Sequence, residues 1–166
     1  MEQIKQLDPS RIHYIDEAGI DNDDFYAYGW APYGERLYAL KPGTRTQRLS
    51  IIGALNQNII HSPFIFEGYT NKELFELYLE RVFIPNVKSG DYVIFDNATF
   101  HKGDRIAQFI ENADCTLIYL PAYSPDLNPI EHFWHSIKNT IRKNLEKVGR
   151  CLFQAAQIAF DEIGKA

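Results

Sequence analysis

Residues 91–103 read DYVIFDNATFHKG, and the centre of that stretch, Tyr92 to Phe95, is almost wholly apolar before it ends on Asp96. A short apolar run bounded by polar and turn-forming residues suits a central strand covered on both faces. It is the pivot of an α/β reading. Asp96 then stands at the carboxyl end of that strand, where the ligands of open α/β sheets tend to lie.

The same periodicities extend outward in both directions. Downstream, HKGDRIAQFIENAD (101–114) predicts a helix, CTLIYLPA (115–122) another buried strand, and PAYSPDLNP (121–129) a rigid loop. A helix follows from Asn128, with Ile130, Phe133, Trp134, Ile137, Ile141, Leu145 and Val148 gathered into one stripe at helical spacing. A last helix runs from about Cys151 to Ile163. Upstream, RIHYIDEA (11–18) alternates as a strand, placing Ile12, Tyr14 and Asp16 on one face and Asp16 at its C-terminal end. RLSIIGAL (48–55) and IIHSPFIFEG (59–68) flank the polar turn Asn56-Gln57-Asn58 as an antiparallel hairpin. Thr70-Asn71-Lys72-Glu73 is a capping-box pattern opening a helix with Leu74, Leu77, Tyr78 and Val82 at helical spacing, stopped near Pro85. From Gly19 to Thr46 the chain is aromatic and broken by Pro and Gly, an excursion inserted between core strands. The order predicts an α/β sandwich, antiparallel at its start and parallel afterwards, in one domain spanning residues 1–166.

Bulk properties exclude several classes. At 166 residues, 45% hydrophobic and 14% aromatic, the chain can bury a core and is not of disordered composition. No apolar stretch approaches the ~20 residues of a membrane span, and MEQIKQLDPSR lacks the apolar centre of a secretory signal, so a cytoplasmic location is expected. Cys115 and Cys151 are neither clustered nor spaced with His as metal ligands, which argues for reduced, structural cysteines. The net charge of -5 is mild evidence against nucleic acid, but the charge is uneven. Residues 1–35 carry eight acids against Lys5 and Arg11, whereas Lys138, Arg142, Lys143, Lys147 and Arg150 face Glu146 alone. That basic run serves either as a solvated helix face or as a phosphate-binding stripe.

Three carboxylates form the candidate site: Asp16, Asp96 and, 35 positions after Asp96, Glu131. Strand ends and a helix start would bring them together on divalent metal, an arrangement suited to phosphodiester chemistry. Each also has a plain structural reading. Asp96-Asn97 makes an Asx turn, Asp16-Glu17 ends a strand, and Asn128-Pro129-Ile130-Glu131 is a helix start with Asn as cap and Glu closing a capping box. Cap and ligand are compatible roles, because a carboxylate in the first turn faces the positive end of the helix dipole and stays ionised. Glu131, His135, Lys138 and Arg142 share one flank of the helix, where a phosphate backbone can be held. Trp134 is assigned to packing.

At these residues a resemblance becomes specific. IDEAG, FDNATFHK and LPAYSPDLNPIEHFWHSIK resemble the catalytic domain of the mariner superfamily of cut-and-paste transposases, in its bacterial insertion-sequence branch. The likeness runs from about Arg11 to Arg150. It implies a ribonuclease-H-like fold, a mixed five-stranded sheet with helices on both faces, and an Asp-Asp-Glu triad at Asp16, Asp96 and Glu131. It also implies two Mg²⁺ ions, with Mn²⁺ as substitute, held by those three carboxylates. Water then frees a 3′ hydroxyl at an element end, and that hydroxyl attacks target DNA. His101 and Lys102 follow Asp96 closely enough either to touch the scissile strand or to serve only as surface residues, with His135, Lys138 and Arg142 as further DNA contacts. Residues 19–46 fall where relatives carry a clamp onto a partner subunit, implying a homodimer in the active complex. Complete members of the family place helix-turn-helix domains before the catalytic domain, where this sequence has only about ten residues; the resemblance then implies either the catalytic half of an element with a split reading frame, with a separate helix-turn-helix polypeptide as partner, or a decayed remnant. Two rival readings share the residues: another ribonuclease-H-like nuclease, and a non-catalytic DNA-binding or assembly remnant of a transposase.

Overall fold

A computed structural model describes residues 4, 6–21, 33, 48–98, 101–121, 124 and 127–163. Five strands, β1 (Ile12–Asp21), β2 (Arg48–Asn56), β3 (Ile59–Glu67), β4 (Tyr92–Phe95) and β5 (Thr116–Tyr119), form one sheet in the order β3-β2-β1-β4-β5. The first three pair antiparallel, and β1, β4 and β5 pair parallel, so the sheet is mixed as expected. The hairpin turn is Gln57-Asn58, both at positive φ (46° and 67°), the backbone hand that matches strand twist in two-residue hairpins.

β1 is longer than its sequence pattern indicates. Its pairing with β4 ends at Ile15 opposite Phe95, but its pairing with β2 continues to Asp21 opposite Arg48. Asp16 is therefore the first residue past the end of the parallel seam, in mid-strand and not at a strand end. Gly19 to Asp21 belong to β1 as well, and residues 22–32 and 34–46 of the expected clamp excursion lie outside the described residues.

Helix α1 (Lys72–Tyr78) continues through a single π turn, Leu79–Phe83, and a 3-10 turn, Ile84–Asn86, that contains Pro85. Its cap is Asn71, whose Oδ1 accepts the Leu74 amide at 2.9 Å, and not Thr70. Asn71 has the extended backbone that a cap residue needs (φ -133°, ψ 173°), which decides between two adjacent residues of similar capping chemistry. Helices α2 (Asp104–Asn112), α3 (Ile130–Leu145) and α4 (Leu152–Ile163) complete the described elements.

Helices cover both faces of the sheet. On one, Ile15, Ile52, Val93 and Phe95 meet Phe75, Tyr78, Leu79 and Phe83 with Ile106 and Ile110 of α2. On the other, Ala18, Ile20, Leu49 and Ile51 meet the α3 stripe, with Ala155, Ala156 and Ala159 of α4 behind it. Ile130, Trp134, Ile137, Ile141 and Leu145 are buried as the stripe requires, with Phe133 and Val148 partly buried at its margin. Cys115 and Cys151 are free thiols. β3 is the outermost strand beside β2, and it is interrupted: Ser62 has a φ of 52°, Pro63 follows it, and the β2–β3 register shifts between Ile52 and Ala54. Among the described residues no helix is long and apolar enough to cross a membrane.

Candidate active site

Side-chain alternation along β1 turns Asp16 toward α3, where the apolar stripe brings Trp134 down on it. The indole Nε1–H donates to Asp16 Oδ2 at 3.0 Å. Opposite Asp16 on β2 is Gly53, and a Cβ there would sit 3.1 Å from Trp134 Cη2, so the missing side chain makes room for the ring. Trp134 thus packs, as expected, and also orients a carboxylate. Sequence reasoning missed the second role, although a buried indole N–H normally requires an acceptor.

Asp16 is only 7% exposed. Burial, then the charges of Glu131 and Glu17, push its carboxyl up to about 7, against the bonds from the Glu17 amide and Trp134. Two negative groups therefore act on a third that is itself withdrawn from water. Such a set favours a proton, or a cation, beside the buried carboxylate.

Asp96 follows the last residue of β4, and its Oδ1 accepts the Ala98 amide at 3.0 Å, the Asx turn read from sequence. His101 Nδ1 bonds the same oxygen. That bond holds Asp96 below the usual carboxylate range against the opposing effect of burial, with the Ala98 amide and the His101 charge adding to it. The other ring nitrogen, Nε2, lies 3.1 Å from Glu17 Oε2. Burial opposes a charge on His101, but the bonds and charges of Asp96 and Glu17 prevail and raise it to about 9. His101, expected as a DNA contact, has no exposed surface here, and its ring is occupied on both sides by carboxylates.

Glu131 is exposed in the first turn of α3. No side-chain capping bond is made at this helix start, so the capping-box reading does not hold. Pro129 takes the cap position with a helical backbone, the Glu131 amide bonds the Asn128 carbonyl at 3.2 Å, and Asn128 is buried instead, its Oδ1 without a hydrogen-bond partner. The Glu131 carboxylate is not committed to the helix, and its charge is felt at Asp16. Among the described residues, no three His, Cys, Asp or Glu side chains already form a closed cation cage. The chemistry of the donors nevertheless suits a hard divalent ion, since Asp16, Asp96 and Glu131 offer only carboxylate oxygens.

On the α3 flank, exposed His135 and partly buried Arg142 are tied together by Asn139, with contacts of 3.0 Å on each side. Lys138 is partly buried between them, and Lys102 is exposed beyond His101. Glu17 has no role in the sequence reading except as a neighbour of Asp16. Alternation places it on the other face of β1, and only the parallel β1–β4 seam brings it to His101.

Comparison with known proteins gives consistent results. The family described as DDE superfamily endonuclease matches residues 11–149. The insertion element IS630 uncharacterized 39 kDa protein of Shigella sonnei is 25% identical over 135 residues, which cover 80% of this chain and 39% of that protein. The structure resembles the Mos1 transposase catalytic domain with raltegravir and Mg (TM-score 0.66, 15% identity, 99% of this chain and 76% of that one). It likewise resembles the Mos1 strand transfer complex (TM-score 0.65, 15% identity, 99% and 56%) and the catalytic core of BIV integrase (TM-score 0.57, 12% identity, 91% and 81%). The fold is accordingly the ribonuclease-H-like fold of transposase and integrase catalytic cores. The chain spans well under half the length of the curated relative it matches.

Proposed function

Since the chain belongs to the DDE superfamily endonucleases, we propose that Asp16, Asp96 and Glu131 are the catalytic centre of a DNA transposase that cuts and rejoins phosphodiester bonds with divalent metal. The observation that carries this reading is the buried Asp16 carboxyl, raised to about 7 by burial and by Glu131 and Glu17 at the C-terminal end of the β1–β4 seam. Carboxylates brought together at such a cost in repulsion suit a cation. The similar Mos1 complexes include structures with Mn and with Mg, which supports the same choice here.

In this proposal the three carboxylates hold two Mg²⁺ or Mn²⁺ ions. When bound, the ions would activate the attacking oxygen and stabilise the leaving one in an in-line displacement. The protein's own work is orientation. Trp134 fixes the Asp16 carboxylate, and the Ala98 amide and His101 fix that of Asp96. Lys138 and Arg142 lie along the α3 flank leading away from Glu131, where cationic groups hold a phosphate backbone without reading its bases. Water is the first nucleophile and the freed 3′ hydroxyl the second. Recognition of element ends is assigned to a helix-turn-helix segment or partner, and pairing of two ends to a homodimer.

Asp96→Asn removes a charged ligand with almost no change in volume. Calorimetric titration of Mn²⁺ should show binding to the wild type and at least about tenfold weaker binding to Asp96→Asn. Equal affinity would remove Asp96 from the centre.

A further inference from the structure

Glu17 is a partly exposed carboxylate that phosphoryl transfer by Asp16, Asp96 and Glu131 does not use. It points to the face of β1 opposite Asp16, toward α1 and α2. There its Oε2 meets His101 Nε2 at 3.1 Å, while His101 Nδ1 meets Asp96 Oδ1. Both ring nitrogens thus face carboxylate oxygens, and only the imidazolium has two N–H donors to satisfy them. The ring has no freedom to leave. It is fully buried, its centroid lies 4.3 Å from that of Phe75 and 5.6 Å from that of Phe95, and its backbone carbonyl accepts the Tyr119 hydroxyl at 2.9 Å. The two hydrogen bonds described for Asp96 both fall on Oδ1. Oδ2 is the oxygen left to face a cation.

We propose that Glu17 and His101 are a positioning pair that fixes the Asp96 carboxylate, Glu17 acting through the imidazolium and not as a metal ligand. The proposal rests on the metal-centre reading above and adds a carboxylate–histidine–carboxylate chain across the β1–β4 seam. In it the Glu17 oxygen sets the tilt of the ring, and so the direction from which His101 meets Asp96. His101 is one hydrogen bond removed from the ligating carboxylate, where a lost partner changes affinity by about 10- to 100-fold, and Glu17 is two, so its loss falls at the lower end of that range.

The test is Mn²⁺ titration calorimetry on wild type, Glu17→Ala, Glu17→Gln and Asp96→Asn, with circular dichroism to check folding and ¹⁵N NMR of the His101 ring. Glu17→Ala should bind Mn²⁺ about tenfold or more weakly and lose the protected Nε2–H signal. Glu17→Gln, which keeps an acceptor oxygen, should restore most of the affinity and both ring N–H signals. If Glu17→Ala does not fold, Glu17→Gln decides through the ring signals: near wild-type affinity with both ring N–H signals protected supports positioning, and near wild-type affinity with the Nε2–H signal lost overturns it. Equal affinity of Glu17→Ala and wild type, with Asp96→Asn weakened, overturns the pair and leaves the metal centre standing. A Gln variant as weak as Asp96→Asn overturns it too, because Glu17 would then act as a ligand. Wild type that binds no Mn²⁺, or no more tightly than Asp96→Asn, overturns the metal centre and this inference together.

Discussion

Asp16→Asn should stabilise the metal-free protein, and the amount follows from the site. The ionised carboxylate is penalised by burial at 7% exposure and by the charges of Glu131 and Glu17, which move its pKa from 3.8 to about 7. At about 1.4 kcal/mol for each tenfold change in proton affinity, that displacement corresponds to roughly 4 kcal/mol. Between pH 3.8 and about 7 the folded protein keeps a proton that the unfolded chain releases, so stability falls as pH rises through that window. The loss is absent below it and complete above it. Asn has nearly the same shape, retains an oxygen for the Trp134 N–H, and cannot ionise. In urea titrations with chelator present, the variant should therefore gain about 2–4 kcal/mol over wild type near pH 8 and almost nothing near pH 4. Saturating Mn²⁺ should narrow the gap at pH 8, because ligand at about 100 times its Kd adds roughly 2.7 kcal/mol to the form that binds it. A gain below about 1 kcal/mol at pH 8, or one equal at both pH values, would refute the claim that Asp16 is an electrostatically strained ligand.

Glu131→Gln should melt no lower than wild type, since no cap bond is lost and a repulsion on Asp16 is relieved, and should bring Mg²⁺-dependent DNA cleavage to background; cutting at the wild-type rate would take Glu131 out of the site. Lys138→Ala and Arg142→Ala should each weaken duplex binding alike for element-end and scrambled sequences and flatten the salt slope by up to about one, measured by fluorescence anisotropy. An end preference above ~100-fold in wild type would place sequence reading in this chain. Away from the site, burial and then the neighbouring His13 hold His61 down to about 4, so the unfolded chain takes up protons below 6.5 that the folded one refuses. Stability should decline from about pH 6.5 toward 4, and His61→Gln should flatten that decline in acid-titrated melts.

The parts of this fold legible in sequence are those set by local pattern. Tyr92–Phe95 is apolar enough to announce a covered strand, and the α3 stripe from Ile130 to Leu145 repeats at helical spacing regardless of what it packs on. Local pattern ran out where two answers share one signature. Thr70 and Asn71 are both good caps, and backbone angles chose Asn71. Asn128 to Glu131 spells a capping box, but Pro129 takes the cap position and Asn128 is buried without making the cap bond. Long-range register was beyond reach altogether. Glu17 and His101 are 84 positions apart and meet only because Ile15 lies beside Phe95, and alternation taken alone would have kept Glu17 out of the site. His101 stands near Asp96 in sequence, but its burial depends on Phe75 arriving from α1.

The break at Ser62 and Pro63 in the outermost strand has a consequence for solubility. Among the described residues β3 leaves its outer edge unpaired, and such an edge templates a strand from a neighbouring molecule. Pro63 offers no N–H to that ladder, and the left-handed turn of Ser62 rotates the flanking residues out of line. A docking strand would meet two short runs, 59–61 and 64–67, in place of nine continuous residues. Edge-to-edge growth into fibrils is thus arrested at the first missing rung, and concentrated samples should stay dispersed through this edge.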